Sequence, residues 1–204
     1  MDISRTSTPL TLNQKLGVLP VSEVKEHLRI IEDDENELLA RLVATAYDYL
    51  SGPEGWLNGV CLLEETWEWY IPSTLSTGLE IPLRPLVEMT DFEYLSSDGV
   101  TYGVVTTDRY RQVTYGEYAQ LVRTTYPFPY YGSYHPRAYR VTFTAGLAPV
   151  DEPKKVPYPL QQAMKMLVGH WYQNREALSA EPHKQLPYGM AALAGRYRVS
   201  PNHS

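Results

Sequence analysis

Residues Pro159–Leu178 read PLQQAMKMLVGHWYQNREAL, the longest clean helical pattern in the chain. Apolar side chains recur at Leu160, Ala163, Met164, Leu167, Val168 and Trp171, the spacing of one buried helix face. Gln161, Gln162, Lys165, Gln173 and Asn174 fill the other face. Pro157 and Pro159 stand at the first turn, where a missing N–H costs nothing, and Pro182 lies past the end. The pattern predicts a helix from Tyr158 to Leu178, on which the rest of the chain is expected to pack.

Two shorter helical patterns precede it. Val21–Ile31 places Val24, Leu28 and Ile31 on one face, with Ser22 as N-cap and Glu23 and Glu26 in the first turns. The acidic run EDDENE (32–37) has no glycine at a turn position and so does not read as a calcium loop. Asp34 followed by Glu37 reads instead as the start of a second helix, about 35–50, ending at Gly52-Pro53. Its apolar face is Leu38, Leu39, Leu42, Val43, Ala46 and Tyr49. Residues 1–20 show no sustained period and are expected to form a flexible arm.

Between the early and late helices the period changes to two. Cys61–Ile71 alternates, with Leu63, Glu65, Trp67, Trp69 and Ile71 on one face. Glu80–Pro85, EIPLRP, is an extended connector. Val87–Tyr94 and Val100–Val105 flank the hairpin signal Ser97-Asp98-Gly99, and two further short strands are expected around Tyr115-Gly116. Arg137–Ala145 is the clearest strand, with Tyr139, Val141, Phe143 and Ala145 facing one way. Tyr126–Pro136, YPFPYYGSYHP, is a proline-aromatic loop rather than a central strand. The expected class is α+β: a small helical bundle (helices within 21–50 and 158–194) with an inserted antiparallel β region at 61–146. Together these form one domain over 21–194, followed by a polar tail at 195–204.

Composition narrows the function. Acidic residues outnumber basic ones, 24 to 18, for a net charge of −6, the wrong sign for a protein that grips phosphates. The single cysteine, Cys61, rules out an internal disulfide and fits a reducing compartment. No apolar run is long enough to cross a membrane, and no secretion signal opens the chain. The five histidines, His27, His135, His170, His183 and His203, match no zinc spacing. Adjacent Glu64 and Glu65 point to opposite faces of a strand and cannot cooperate directly. No catalytic set, metal site or cofactor motif is expected. Tyrosine is abundant, 17 residues against 3 phenylalanines, as at contact surfaces or the edges of β-rich cores.

Four segments taken in order carry a resemblance. They are VKEHLRI (24–30) with DENELLARLVATAYDYL (34–50); the Trp67-x-Trp69 strand with IPLRPLVEMTDFEYLSSDG (81–99); YRVTFTAGL (139–147); and the 159–178 helix with a following Leu186-Pro187-x-Gly189-x-x-x-Leu193 segment. Together they resemble the head–tail connector (adaptor) proteins of long-tailed bacteriophages and gene transfer agents, over about Val21–Tyr197. The chain departs at Tyr126-Pro127, where Trp-Pro is usual. The resemblance implies a dodecameric ring beneath the portal protein at the particle neck, assembled in the host cytoplasm. Such a ring extends the DNA channel without binding DNA specifically and docks the next neck or tail (stopper) protein. It also implies that the C-terminal segment reaches the portal, with Tyr197 as anchor and Arg196 and Arg198 as charged contacts. Tyr126, Phe128, Tyr130, Tyr131 and Tyr134 are the residues expected at subunit interfaces. Two other readings stand beside it. One is a hydrolase using an unidentified carboxylate pair or His170. The other is a single-stranded nucleic-acid binder stacking bases on 126–134, a loop flanked only by Arg123 and Arg137.

Overall fold

The computed structural model describes residues 2–73, 78–116, 118–124, 134–174 and 188–199. The chain is α+β, with α-helices and two antiparallel sheets, and it divides into two compact units. One unit holds Met1–Pro9 and Glu64–Gly146; the other holds Leu10–Leu63 and Leu147–Ser204.

The first unit contains all the described strands. Five form one sheet in the order β1-β2-β8-β4-β5: β1 Asp2–Arg5, β2 Glu65–Ile71, β4 Leu86–Leu95, β5 Tyr102–Val104 and β8 Tyr139–Ala145. Three form the other in the order β3-β7-β6: β3 Gly78–Glu80, β6 Tyr110–Tyr115 and β7 Tyr118–Arg123. β8 is the centre of the larger sheet. It pairs with β2 from Glu65↔Ala145 to Ile71↔Tyr139, and with β4 on its other side from Leu86↔Ala145 to Tyr94↔Tyr139. Its alternation is complete: Tyr139, Val141, Phe143 and Ala145 are buried, while Arg140, Thr142 and Thr144 are half-buried on the opposite face. Trp67, Ile71 and Phe92 join this inner face, and Ala119 and Leu121 of β7 are buried in the same unit. The rings of Phe92 and Tyr110 meet edge to face with centroids 5.2 Å apart, which ties the two sheets together.

Both expected turns are present. Gly99 has φ 69°, and the Asp98 carboxylate accepts from the N–H groups of Val100 and Thr101 at 2.9 Å. Gly116, at φ 61°, closes the β6–β7 hairpin in a conformation that a Cβ would disfavour. The first strand of the insert starts later than the alternation suggests. Cys61–Leu63 lie outside it, and Leu63 makes only an isolated parallel bridge to Ala148.

The second unit contains the helices: α1 Leu12–Val18, α2 Val21–Leu28, α3 Asn36–Leu50, α4 Tyr158–Gln173 and α5 Tyr188–Ala194. α4 packs on α2, α3 and α5, and α1 packs on α3. Leu160, Ala163, Met164, Leu167 and Val168 are buried, as their spacing requires, whereas Trp171 is only half-buried. Its ring meets Tyr49 edge-on at 5.9 Å. Gln161, assigned to the polar face, is 4% exposed; its amide donates to the Val156 carbonyl at 2.7 Å and so fixes the turn before the helix. Residues 175–178 of the expected helix lie outside the described residues. No helix among the described residues is long and apolar enough to cross a membrane.

Three expectations need correction. The 1–20 segment is regular structure rather than an arm. β1 pairs with β2 from Asp2↔Tyr70 to Arg5↔Trp67, and Arg5 donates to the buried Glu65 carboxylate at 2.5 Å. Thr11 and Gln14 form a reciprocal capping box that starts α1. Neither of the next helices has the cap assigned to it. Pro20 and Glu35 occupy the N-cap positions without a side-chain cap bond. Asp33 instead accepts from Lys25 and from the Asn36 amide at 2.6 and 3.0 Å. Leu38 falls outside the buried stripe at 36% exposure, because α3 turns Leu39, Val43, Ala46, Tyr47 and Leu50 inward.

Lys154 and Lys165 both reach Glu23, at 2.5 and 2.8 Å, tying α2 to the 3₁₀ turn at Pro153–Lys155 and to α4. The Lys154 and then the Lys165 hydrogen bonds hold the Glu23 carboxyl below its ordinary value of 4.5. A depressed folded value means this stabilisation is complete above pH 4.5 and is lost as pH falls through the folded value. At a partly exposed site the joint contributes about 0.5 kcal/mol. Glu23→Gln is therefore expected to lower the unfolding temperature by about 1–2 °C near neutrality. The drop should shrink as the pH falls below 4.5; an equal drop on both sides of that value would show that the charge is not what matters. For the sheet, Phe143→Ala removes a fully buried ring beside β2 and β4. It is expected to cost about 3–5 kcal/mol, read from the urea midpoint at constant m-value. A loss below about 1 kcal/mol would mean that β8 is not the core strand.

Candidate assembly surfaces

The C-terminal candidates are partly folded back. After α5, the Tyr197 N–H donates to Ala194 O at 2.9 Å, turning the chain. The Arg198 guanidinium then lies over the Trp56 ring, 4.8 Å from its centroid. The Val199 N–H donates to Leu57 O at 3.1 Å, and the Asn58 side-chain amide donates to Val199 O at 3.2 Å. Val199 is 9% exposed. The receiving ledge, Trp56–Asn58, follows α3, and Asn58 takes a left-handed conformation at φ 58°. Burial pushes the nearby Tyr49 phenol up, while the Arg198 charge pulls it the other way. The segment 195–199 is thus a strap on the helical unit. Arg196 and Arg198 are exposed along it and Tyr197 is half-buried. The sequence alone does not reveal the ledge, whose signal is the run Gly55-Trp56-Leu57-Asn58-Gly59.

Of the proline-aromatic loop, Tyr134 is described and is 68% exposed. Tyr126, Phe128, Tyr130 and Tyr131 lie outside the described residues. Other exposed apolar side chains of the β unit are Val87, Val100, Val104 and Tyr115; in the helical unit Ile31, Tyr158 and Tyr188 are each more than four-fifths exposed.

The outer face of the larger sheet uses tyrosines differently. Arg140 donates to Glu93 at 2.7 Å, lies 3.8 Å from Glu68 and covers the Tyr102 ring at 4.5 Å. Arg137 donates to Asp2 at 2.6 Å and covers the Tyr70 ring at 4.5 Å. The Tyr70 hydroxyl donates to Glu68 at 2.6 Å, which raises its pKa, and the Glu93 carboxylate raises that of Arg140. Asp2, Glu68 and Glu93 therefore face Arg137 and Arg140 in one interlocked lattice. Here the tyrosines serve as platforms for the chain's own arginines.

The residues weighed for catalysis are scattered. His27 and His170 both line a cavity of about 420 Å³ with Arg29, Gln162, Met166 and Gln173, and among the described residues no carboxylate lines it. The His170 Nδ1 lies 3.5 Å from the Asn174 amide. Glu65 is committed to Arg5, and Cys61 is buried. Among the described residues no three His, Cys, Asp or Glu side chains are grouped to hold a metal ion.

No protein-family model and no curated protein sequence matches the chain. Solved structures do. A chain from the neck of an empty gene transfer agent particle, computed with C6 symmetry, superposes with a TM-score of 0.72 at 20% identity, covering 98% of this chain and 96% of that one. A chain from the virion of a native gene transfer agent particle gives 0.70 at 19% identity, with the same coverage. A chain from the neck of a native particle, computed with C12 symmetry, gives 0.64 at 18% identity, again over 98% and 96%. From end to end, and at low identity, this chain has the fold of a gene transfer agent neck protein.

Proposed function

We propose that this protein is a structural, non-enzymatic subunit of the neck of a bacteriophage or gene transfer agent particle. In this reading it is a head–tail connector, a helical bundle with an inserted β region. Copies form a ring under the portal protein, extend the DNA channel and dock the next neck protein. The observation that carries the reading is the likeness over nearly the full length of both chains to a neck chain. One compared neck was computed with six-fold and another with twelve-fold symmetry, and a dodecameric ring is compatible with either.

The physical features support the reading. A ring needs heterologous contacts that close on rotation, and exposed Tyr134, Val104 and Ile31 offer contact points outside the core. A conduit must let DNA slide, and a net charge of −6 keeps phosphates from being held. In this reading the C-terminal segment contributes to portal contact through exposed Arg196 and Arg198, with Tyr197 between them. Ring formation is tested by mixing the protein with purified portal and sedimenting. Co-sedimenting rings with a central channel are expected; a protein that stays monomeric and unbound with portal in excess would sink the reading. The tail is tested by truncation before Gly195, which is expected to weaken portal binding by at least about tenfold. Unchanged affinity would remove the tail from the contact while leaving the ring intact.

A further inference from the structure

The strap at 195–199 rests on a ledge that is itself tied down. The Trp56 N–H donates to Tyr49 O at 2.8 Å and the Leu57 N–H to Leu50 O at 3.2 Å, so the ledge is bonded to the last turn of α3. The Asn58 N–H closes it on Gly55 O at 2.8 Å. The strap is held at both ends. At its start the Gly195 N–H donates to Ala191 O at 2.9 Å and the Arg198 N–H to Gly195 O at 3.3 Å. At its end Val199 is held by its own N–H on Leu57 O, by the Asn58 side-chain amide on its carbonyl, and by burial of its side chain. The left-handed turn at position 58 would be met by glycine, but the bond to Val199 O needs the amide. Between the two ends stand Arg196 and Arg198, both exposed, and among the described residues neither makes an ion pair. A guanidinium lying over a ring, as Arg198 does on Trp56, uses its face there and keeps its N–H fork for a carboxylate.

We propose that Trp56 and Asn58 are positioning residues for the portal contact: they hold 195–199 as a preformed strap whose arginine forks meet carboxylates of the portal. The inference rests on the tail reading above. It adds the part of the subunit that sets the tail's shape, and the chemistry that shape fits. A tail left loose until contact would have to be ordered at that moment, and each backbone unit and long side chain fixed then costs affinity. Here Leu57 and Asn58 fix the backbone at Val199, and Trp56 fixes the Arg198 side chain, before any partner arrives. The partner's chemistry follows from the open forks. Two exposed guanidinium groups flanking the half-buried Tyr197 match an acidic patch, where charge-assisted pairs form around one aromatic contact.

The test measures affinity for purified portal at low and high salt for wild type, Asn58→Gly, Trp56→Leu and Trp56→Phe. Each is made in the full chain and in a chain truncated before Gly195, and thermal unfolding checks that each free subunit is folded. Asn58→Gly keeps the turn and removes the bond to Val199 O. Trp56→Phe keeps a ring under Arg198, and Trp56→Leu removes it. In the full chain Asn58→Gly and Trp56→Leu are expected to weaken binding about tenfold, with Trp56→Phe close to wild type. Wild-type binding should weaken as salt rises, and in the truncated chain none of the substitutions should matter. Equal affinity of wild type and Asn58→Gly in the full chain overturns the proposal. Tighter binding by Asn58→Gly also overturns it, because the strap would then have to leave its ledge to bind. An equal loss in the truncated chain overturns it too, since the ledge would then act through the fold, and salt-independent binding overturns the carboxylate partner. If truncation alone leaves affinity unchanged, the proposal falls with the tail reading, while ring formation is untouched.

Discussion

Everything in the β unit depends on one pairing: the seven-residue antiparallel register of β2 on β8, from Glu65↔Ala145 to Ile71↔Tyr139. The ladder joins segments roughly 70–80 residues apart, so the chain must close a long loop before the contact stabilises anything. Once closed, β8 has neighbours on both sides and every second side chain buried, and β4 and β1 can add at the flanks. Edges are then limited by different means. β4 carries two register shifts, at Leu86/Glu88 and Met89/Asp91, which bend its outer edge; β1 and β5 are only four and three residues long.

Much of this was legible because burial is one-sided. A strand with one face in the core must alternate, and Tyr139–Ala145 does so without exception. The same logic exposed the α4 stripe, and Asp98-Gly99 and Tyr115-Gly116 announced their turns. The failures have local causes. β1 is an edge strand whose order comes from a partner more than 60 residues away, so its own sequence carries little period. α1 is seven residues long, too short to show a face, although its Thr11–Gln14 box was readable. Ser22 and Asp34 look like caps, but the cap positions fall to Pro20 and Glu35, neither of which makes a side-chain cap bond. Arg84 was read as part of a connector, since nothing in EIPLRP says that one charged side chain turns inward.

The candidate surfaces were legible in kind and less so in place. Composition showed a tyrosine-rich, acidic chain without a catalytic motif, and that much can be read from residue types alone. Which tyrosines are used internally cannot. Tyr70, Tyr102 and Tyr118 each lie beneath an arginine of the same chain, and the Tyr47 hydroxyl oxygen accepts from the Leu63 N–H at 3.2 Å. Tyr115, Tyr134, Tyr158 and Tyr188 are exposed instead. The distinction arises from strand register and helix phase, which set the direction of each ring.

The isolated bridge of Leu63 to Ala148, with the Leu147 N–H on Cys61 O at 3.0 Å, brings the two borders of the inserted β segment side by side on the helical unit. A segment whose departure and return points are already clamped together adds little strain to its host when its length changes. The helical unit can therefore keep its packing while the insert is lengthened, trimmed or exchanged, with the β1 strand as the one extra thread that must be re-accommodated. Such a joint is a natural place for variation among proteins that share the helices and differ in what they present to their neighbours.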